Sequence, residues 1–241
     1  MDNTLYVGLS RQMTLKREVD LIANNIANSD TKGFKVEALT VRTDPAKPKG
    51  STSPIAFVID DGVARDFGQG ALNQTGAPFD LAIDGQAFFK VQTANGERYT
   101  RDGRFTLDAA GQLTTQGGDA VLDEGGGPMT IDPLQGPVTI AQDGSISQGA
   151  LRLGKVGLAR FDDLGSLSKE GDNLYRNTSN QAVQAAPDAM IRQGMLEGSN
   201  VKPVLEITRL IEVTRAYESM SRTMDSAADL SKRSIERLGK V

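Results

Sequence analysis

Both ends of the chain are written as long amphipathic helices, and the sequence between them carries strand and turn signals. In the first stretch Leu15, Val19, Ile22 and Ile26 recur at spacings of 4, 3 and 4. In the last, Leu210, Val213, Tyr217, Met220, Met224 and Ala227 recur at 3, 4, 3, 4 and 3. An α-helix turns once in about 3.6 residues, so each series draws one apolar seam, the pattern of helices that pack lengthwise on other helices. Leu5, Leu9 and Met13 extend the N-terminal seam along a drifting line, and Ile207, Ile211 and Leu238 widen the C-terminal one. Apolar coverage this broad exceeds what a single two-helix contact hides and points to more than one partner helix. A chain with its two strongest helices at opposite termini is expected to pair them with each other and with copies or relatives of itself.

The rest of the pattern predicts an α+β protein. Residues 3–28 read as one helix, closed by Asp30-Thr31-Lys32-Gly33, where the glycine supplies a permissive backbone past the last apolar position. Residues 43–54 hold three prolines and little that is apolar, which reads as a linker or extended arm. Phe88–Thr93 and Glu97–Thr100 flank Asn95-Gly96, a strong hairpin signal. Asp102-Gly103 and Asp108-Ala109-Ala110-Gly111 turn the chain again. Short apolar runs follow at Ala120–Leu122, Val138–Ile140 and Leu151–Leu158, and the 26 glycines suit a turn-dense antiparallel module, either a small barrel or a sandwich. From Gly194 the chain is turn-like until Pro203, which is well placed to begin the last helix. The expected organisation is a discontinuous helical domain (1–35 with 200–241), a linker or extended arm (36–78) and an inserted β-rich outer domain (79–199).

Composition narrows function by exclusion. The chain has 241 residues, neither cysteine nor histidine, and a net charge of −4 with a pI near 5.0. Disulfides, thiolate nucleophiles and the commonest metal ligands are therefore absent, and no cofactor or metal is expected. An acidic balance offers no field for nucleic acid or anionic lipid. No apolar run approaches the ~20 residues that span a bilayer, so no membrane insertion is expected. Charged residues fall inside the first helix at Arg11, Lys16, Arg17, Glu18 and Asp20, unlike a secretory signal, so any export is expected to leave the N-terminus intact. The acid pairs Asp60-Asp61 and Asp162-Asp163 border glycines or turns and read as turn residues rather than catalytic carboxylates. Asp102 and Asp108 lack the order and closing Glu of a calcium loop, and Gly125-Gly126-Gly127 lacks the Lys-Ser/Thr of a phosphate loop.

Four ordered motifs carry a family resemblance. Asn24-Asn25-Ile26-Ala27-Asn28-Ser29-Asp30-Thr31-Lys32-Gly33-Phe34-Lys35 closely resembles the flagellar rod and hook family. Asp80-Leu81-Ala82-Ile83-Asp84-Gly85-Gln86-Ala87-Phe88-Phe89 is similar to the entry of that family's middle β domain, and Tyr99-Thr100-Arg101-Asp102-Gly103-Arg104-Phe105 continues it. Leu196-Glu197-Gly198-Ser199-Asn200-Val201 with Arg215-Ala216-Tyr217-Glu218 is similar to the C-terminal helix and its lead-in. Within the family, the short length and the opening Met1-Asp2-Asn3-Thr4-Leu5-Tyr6 look most like proximal-rod subunits, with distal-rod subunits as the alternative.

The resemblance implies a structural protein with no enzymatic activity: a subunit exported by the flagellar export apparatus, without a cleaved signal, into a rod that spans the periplasm. There it would stack helically with copies of itself and with other rod subunits into a hollow, torque-transmitting shaft. The expected assembly interface is Leu5, Leu9, Met13, Leu15, Val19, Ile22, Ile26, Leu210, Val213, Tyr217, Met220 and Met224. The family-motif positions are Asn24, Asn25, Asn28, Thr31, Gly33, Phe34, Ser199, Asn200, Val201, Arg215 and Glu218. The asparagine amides sit where they can cap or cross-link backbone groups. Tyr217 and Arg215 serve either a neighbour or, for Tyr217, the internal core. The helical termini are expected to stay frayed until assembly orders them. A different class, a β-rich exported binding module, would need an exposed aromatic cluster, which a chain with no tryptophan and 4 tyrosines supplies poorly.

Overall fold

The computed structural model describes residues 2–46, 55–179 and 182–238. A helix α1 (Asp2–Ala27) is followed by β1 (Glu37–Ala46), β2 (Ile55–Arg65), β3 (Leu72–Gln74), β4 (Leu81–Asp84), β5 (Phe88–Thr93) and β6 (Gly96–Thr100). Then come β7 (Thr106–Leu107), β8 (Leu113–Thr114), β9 (Ala120–Val121), β10 (Val138–Ile140), β11 (Ser145–Gln148), β12 (Leu151–Lys155) and β13 (Leu158–Ala159). A short 3-10 turn, Leu164–Ser166, precedes β14 (Leu167–Lys169), β15 (Leu174–Asn177), β16 (Met190–Gln193), β17 (Met195–Glu197) and the long helix α2 (Pro203–Leu238). Pro203 opens α2, where its missing N–H costs nothing.

The chain divides into two compact units. One gathers Met1–Ala27, Glu37–Asp66 and Lys202–Val241; the other gathers Asn28–Val36 and Phe67–Val201. In the helix–hairpin unit, α1 and α2 run antiparallel: Met224 lies beside Gly8, Arg209 pairs with Glu18, and Asn25 bonds Glu206. The remainder of that unit is an antiparallel ribbon in which Glu37 faces Arg65 and Ala46 faces Ile55. The region expected as a linker or extended arm therefore contains a paired hairpin. Leu39-Thr40-Val41 and Phe57-Val58-Ile59 are β-forming runs whose signal the nearby prolines obscured. Pro45 is tolerated because a two-stranded ribbon leaves each strand an open edge. Of the stretch 43–54 expected as a linker or extended arm, residues 47–54 lie outside the described residues. Asp60-Asp61-Gly62, read as a turn, is a bulge inside β2, where the register shifts between Thr40 and Val41.

The β unit is antiparallel throughout its described pairings. Its main sheet runs β14-β15-β6-β5-β9-β8-β7, with β13 also on β5, and its two ends remain open, so of the two expected forms, barrel or sandwich, a closed barrel is not formed among the described residues. Smaller sheets are β10-β11-β12, β16-β4 and β17-β3. The principal core includes Leu81, Ile83, Phe89, Val91, Leu113, Val121, Ile131, Ile146 and Ile191, all nearly or fully buried. Phe88, Tyr99, Leu167 and Tyr175 make a second cluster with edge-on aromatic contacts, such as Phe88 to Tyr175 at 5.9 Å between ring centroids. The β5–β6 hairpin turns over Ala94 and Asn95, one residue earlier than expected, because Thr93 pairs with Gly96. Gly96 takes φ +98, a left-handed conformation that closes the turn at little steric cost. Among the described residues no helix is long and apolar enough to cross a membrane.

Candidate functional site: helix faces and motif junction

The seam residues divide between the inside and the outside of the helix pair. Leu15, Ile22 and Val213 are buried against one another, with Val19, Ile26, Leu210, Tyr217 and Met220 packed around them and partly exposed. A side chain at Gly8 would press on Met224, since a Cβ there would lie 3.0 Å from the Met224 Cγ. Other apolar residues of the two helices face outward. On α1, Tyr6, Leu9 and Met13 follow at spacings of 3 and 4, and Met13 is 65% exposed. On α2, Val204, Leu205, Ile207 and Ile211 are exposed, Val204 at 76%. Because the helices are antiparallel, these outward groups lie toward opposite ends of the pair. Leu5 and Met224 are half-buried, and Arg215 and Glu218 are exposed. The side chain of Leu238 lies outside the described residues.

Asn25 is the polar joint of this unit. Its side chain is buried, accepts from the Glu37 N–H at 3.0 Å, and donates to the Glu37 carbonyl at 2.7 Å and to Glu206 Oε2 at 3.0 Å. One amide therefore ties the end of α1 to the start of β1 and to the first turn of α2. Glu37 in turn accepts from Arg65 at 2.7 Å. Asn24 sits on the exposed side of the helix.

The motif loop 28–36 belongs to the β unit. The Thr31 hydroxyl donates to Asn28 Oδ1 at 3.1 Å. Gly33 takes φ +68, and a Cβ there would lie 2.5 Å from the Arg101 carbonyl carbon, so the position excludes any side chain. The Gly33 N–H donates to the Glu197 carbonyl at 2.9 Å. Phe34 is buried, with the Lys169 ammonium 4.3 Å from its ring centroid. Asn200 Oδ1 accepts from the Val36 N–H at 2.8 Å, and Asn200 Nδ2 donates to the Gly68 carbonyl at 3.1 Å. Ser199 Oγ accepts from the N–H of buried Val201.

Three charged residues to which the sequence alone assigned no role, Lys35, Arg101 and Glu197, meet here. Lys35 Nζ donates to Glu197 Oε1 at 2.6 Å and to the Gly68 carbonyl at 2.8 Å. Arg101 donates to Glu197 Oε2 at 3.1 Å and to the Gly85 carbonyl at 2.6 Å, and its guanidinium carbon lies 5.2 Å from the Phe88 ring centroid. The Lys35 and Glu197 side chains are 0% exposed and that of Arg101 2%. Burial lowers the Arg101 pKa, and the Glu197 carboxylate opposes that shift. Asn173, also unforeseen, sits in the β14–β15 turn with φ 57 and donates to the Lys32 carbonyl at 3.0 Å. The acid pairs serve local structure: Asp60 pairs with Arg17, Asp61 with Arg42, and Asp163 caps the 3-10 turn.

Comparison with known families matches three segments of the chain. Residues 5–35 match the model described as flagella basal body rod protein, residues 82–148 the flagellar hook protein FlgE/F/G D1 domain, and residues 192–237 the flagellar basal body rod FlgEFG protein C-terminal model. The flagellar basal-body rod protein FlgF of Caulobacter vibrioides is 62% identical over 100% of both chains. The chain belongs to the flagellar basal-body rod protein family. It is accordingly a structural rod protein of the bacterial flagellum, not an enzyme. FlgF of Mesorhizobium japonicum is 39% identical over 99% of both chains. FlgG of Bacillus subtilis is 31% identical over 95% of this chain and 97% of its own. Each matched segment contributes one member of the buried cluster: Lys35 closes the first, Arg101 lies in the second and Glu197 in the third.

Proposed function

We propose that this rod-family chain is a proximal-rod subunit whose terminal helices, acting as a discontinuous helical domain, are its main assembly surface. The observation that carries the reading is the pair of outward apolar groups on the helices, Tyr6-Leu9-Met13 and Val204-Ile207-Ile211, toward opposite ends of an antiparallel pair. Two different patches at opposite ends favour a heterologous, head-to-tail contact, which propagates as an open helix instead of closing into a ring. Burying each large apolar side chain contributes roughly 1.5–3 kcal/mol before ordering entropy is subtracted, enough for several to hold a shaft under torsion. Leu15, Ile22 and Val213 would form the internal seam beneath those faces, and the half-buried members of the expected interface, Leu5, Met220 and Met224 among them, would complete the contact.

The partners on this reading are copies of the chain and other rod subunits, reached through the flagellar export apparatus without a cleaved signal and in the periplasm. Absence of cysteine suits a chain that travels reduced into an oxidising compartment. The proximal-rod reading takes FlgF proteins as proximal and FlgG proteins as distal, and it is supported by 62% identity to the C. vibrioides FlgF against 31% to the B. subtilis FlgG. Deleting residues 204–241 tests the proposal. Stable, exported protein with lost swimming and basal bodies that stop at the rod is expected; normal swimming with complete basal bodies would refute it.

A further inference from the structure

In the β unit, the loop 132–137 is clamped in place while it holds an apolar side chain in water. Pro133 and Pro137 fix two of its backbone φ angles. Asp132 Oδ1 accepts from the Leu134 N–H at 2.9 Å, and Asp132 Oδ2 accepts from the Gln135 side-chain amide at 2.9 Å. The buried Gln148 amide donates to the Asp132 carbonyl at 2.6 Å and to the Gly136 carbonyl at 2.9 Å, so one side chain ties both ends of the loop. Leu134, near the tip, is 92% exposed, the highest value for a large hydrophobic residue among the described residues. A single exposed leucine is ordinary, but one on a clamped loop loses little freedom when it docks, which is what an interface anchor requires.

The same unit holds a cavity of about 330 Å³ walled by Val156, Leu158, Val183, Ala186 and Pro187, with room for a leucine side chain. Lys90 and Lys155 also line it, each in a long ion pair, 3.6 Å to Glu97 and 3.9 Å to Glu124. Glu124 and Asp143 bring the lining to neutrality. Among the described residues Asp132 is in no ion pair, so its carboxylate, two residues from Leu134, is complementary to those two ammonium groups. The loop and the cavity lie at opposite ends of β10-β11-β12: Gln148, which holds the loop, faces Leu151, whereas Lys155, at the cavity, faces Ser145. Three residues of β11 separate those ends, roughly 10 Å, which is beyond the reach of a leucine side chain into the cavity of its own chain.

We propose that Leu134 of one copy seats in this cavity on the next copy, a second contact made between β units. Knob and socket are different places on one unit, so the contact joins unlike surfaces, the kind that extends from copy to copy instead of ending in a symmetric pair. The proposal rests on the stacking of copies put forward above, but it does not depend on the helix faces.

The test places thiols in the cysteine-free, full-length chain and reads them in isolated basal bodies shown to contain the variant. Leu134→Cys and Ala185→Cys, the second on the cavity lining and both at exposed positions, are combined and treated with a short bismaleimide. Dimers of the chain are expected in the double variant at about ten times or more the level in either single variant, and Leu134→Asp is expected to lower incorporation into basal bodies on the order of tenfold. Dimers from a single variant would mean a like-on-like contact and would overturn the proposal. So would a cross-link to a different protein, or normal incorporation of Leu134→Asp. Wild-type basal bodies treated with an amine-reactive cross-linker separate the two readings. Dimers there, with none through positions 134 and 185, would refute the knob and socket alone; no dimers there would refute the stacking of copies and the knob with it.

Discussion

The β unit and the helix–hairpin unit handle apolar surface in opposite ways. In the β unit Leu81, Phe89, Val91, Leu113, Val121 and Ile146 have no measurable exposure, and its cores are closed by residues of the unit itself. In the helix–hairpin unit the buried hydrophobic cluster is Leu15, Ile22 and Val213, while Tyr6, Leu9, Met13, Val204, Leu205, Ile207, Ile211 and Leu230 are exposed. The first closes its cores from within and leaves Leu134, Leu151 and Met190 as separate exposed apolar residues. The second has buried one face of each helix and left apolar side chains on others, which soluble surfaces rarely group in this manner unless they meet something. The contrast locates self-sufficient stability in the sheets and unspent burial in the helices.

Substitutions can break this comparison. Phe89→Ala removes a ring that packs edge-on at 5.0 Å from Phe105 in the closed core, and a loss of about 3–5 kcal/mol is expected in chemical denaturation. Leu15→Ala, buried but beside a thinner seam, is expected to cost about 2–3 kcal/mol, at the lower end for such truncations because the helix pair can relax around it. A larger loss for Leu15→Ala than for Phe89→Ala would mean the helices, not the sheets, dominate stability. Asn25→Ala removes the amide's bonds to the Glu37 N–H and carbonyl, with an expected cost of about 1–3 kcal/mol read as a lowered denaturation midpoint. Ile207→Ser with Ile211→Ser should change monomer stability least, by about 0.5 kcal/mol or less per site, while incorporation into basal bodies falls sharply. Normal incorporation would show that those outward residues are ordinary surface.

How much of this was legible in the sequence depends on range. The helices are local, periodic features, and α1 spans Asp2–Ala27 where 3–28 was expected. The α+β class and the β5–β6 hairpin followed from equally local signals, with the turn displaced by one residue because Gly96 closes it instead of occupying its centre. The β1–β2 ribbon was hidden by Pro45, which reads as a breaker but sits on a two-stranded ribbon with open edges. The split of each seam into inner and outer residues depends on which helix lies opposite, and periodicity alone carries no such information. Lys35 and Glu197 lie 162 residues apart, in stretches rich in turn formers where charge ordinarily means solvent. No local pattern marks a buried ion pair of that separation, although each matched family segment contains one member of the cluster. Asn173 was equally silent, since two consecutive non-glycine residues with positive φ, Asp172 and Asn173, leave no reliable trace in composition.

The most direct test of the central claim uses the absence of cysteine from the chain. Single Met13→Cys and Ile211→Cys proteins can be labelled with a maleimide as purified monomer and again in isolated basal bodies. If the outer helix faces are the assembly surface, both thiols should react readily in the monomer and be protected at least about tenfold in the assembled rod, as expected for groups removed from solvent at an interface core. Equal labelling rates in the two states, in basal bodies shown to contain the variant, would contradict the account.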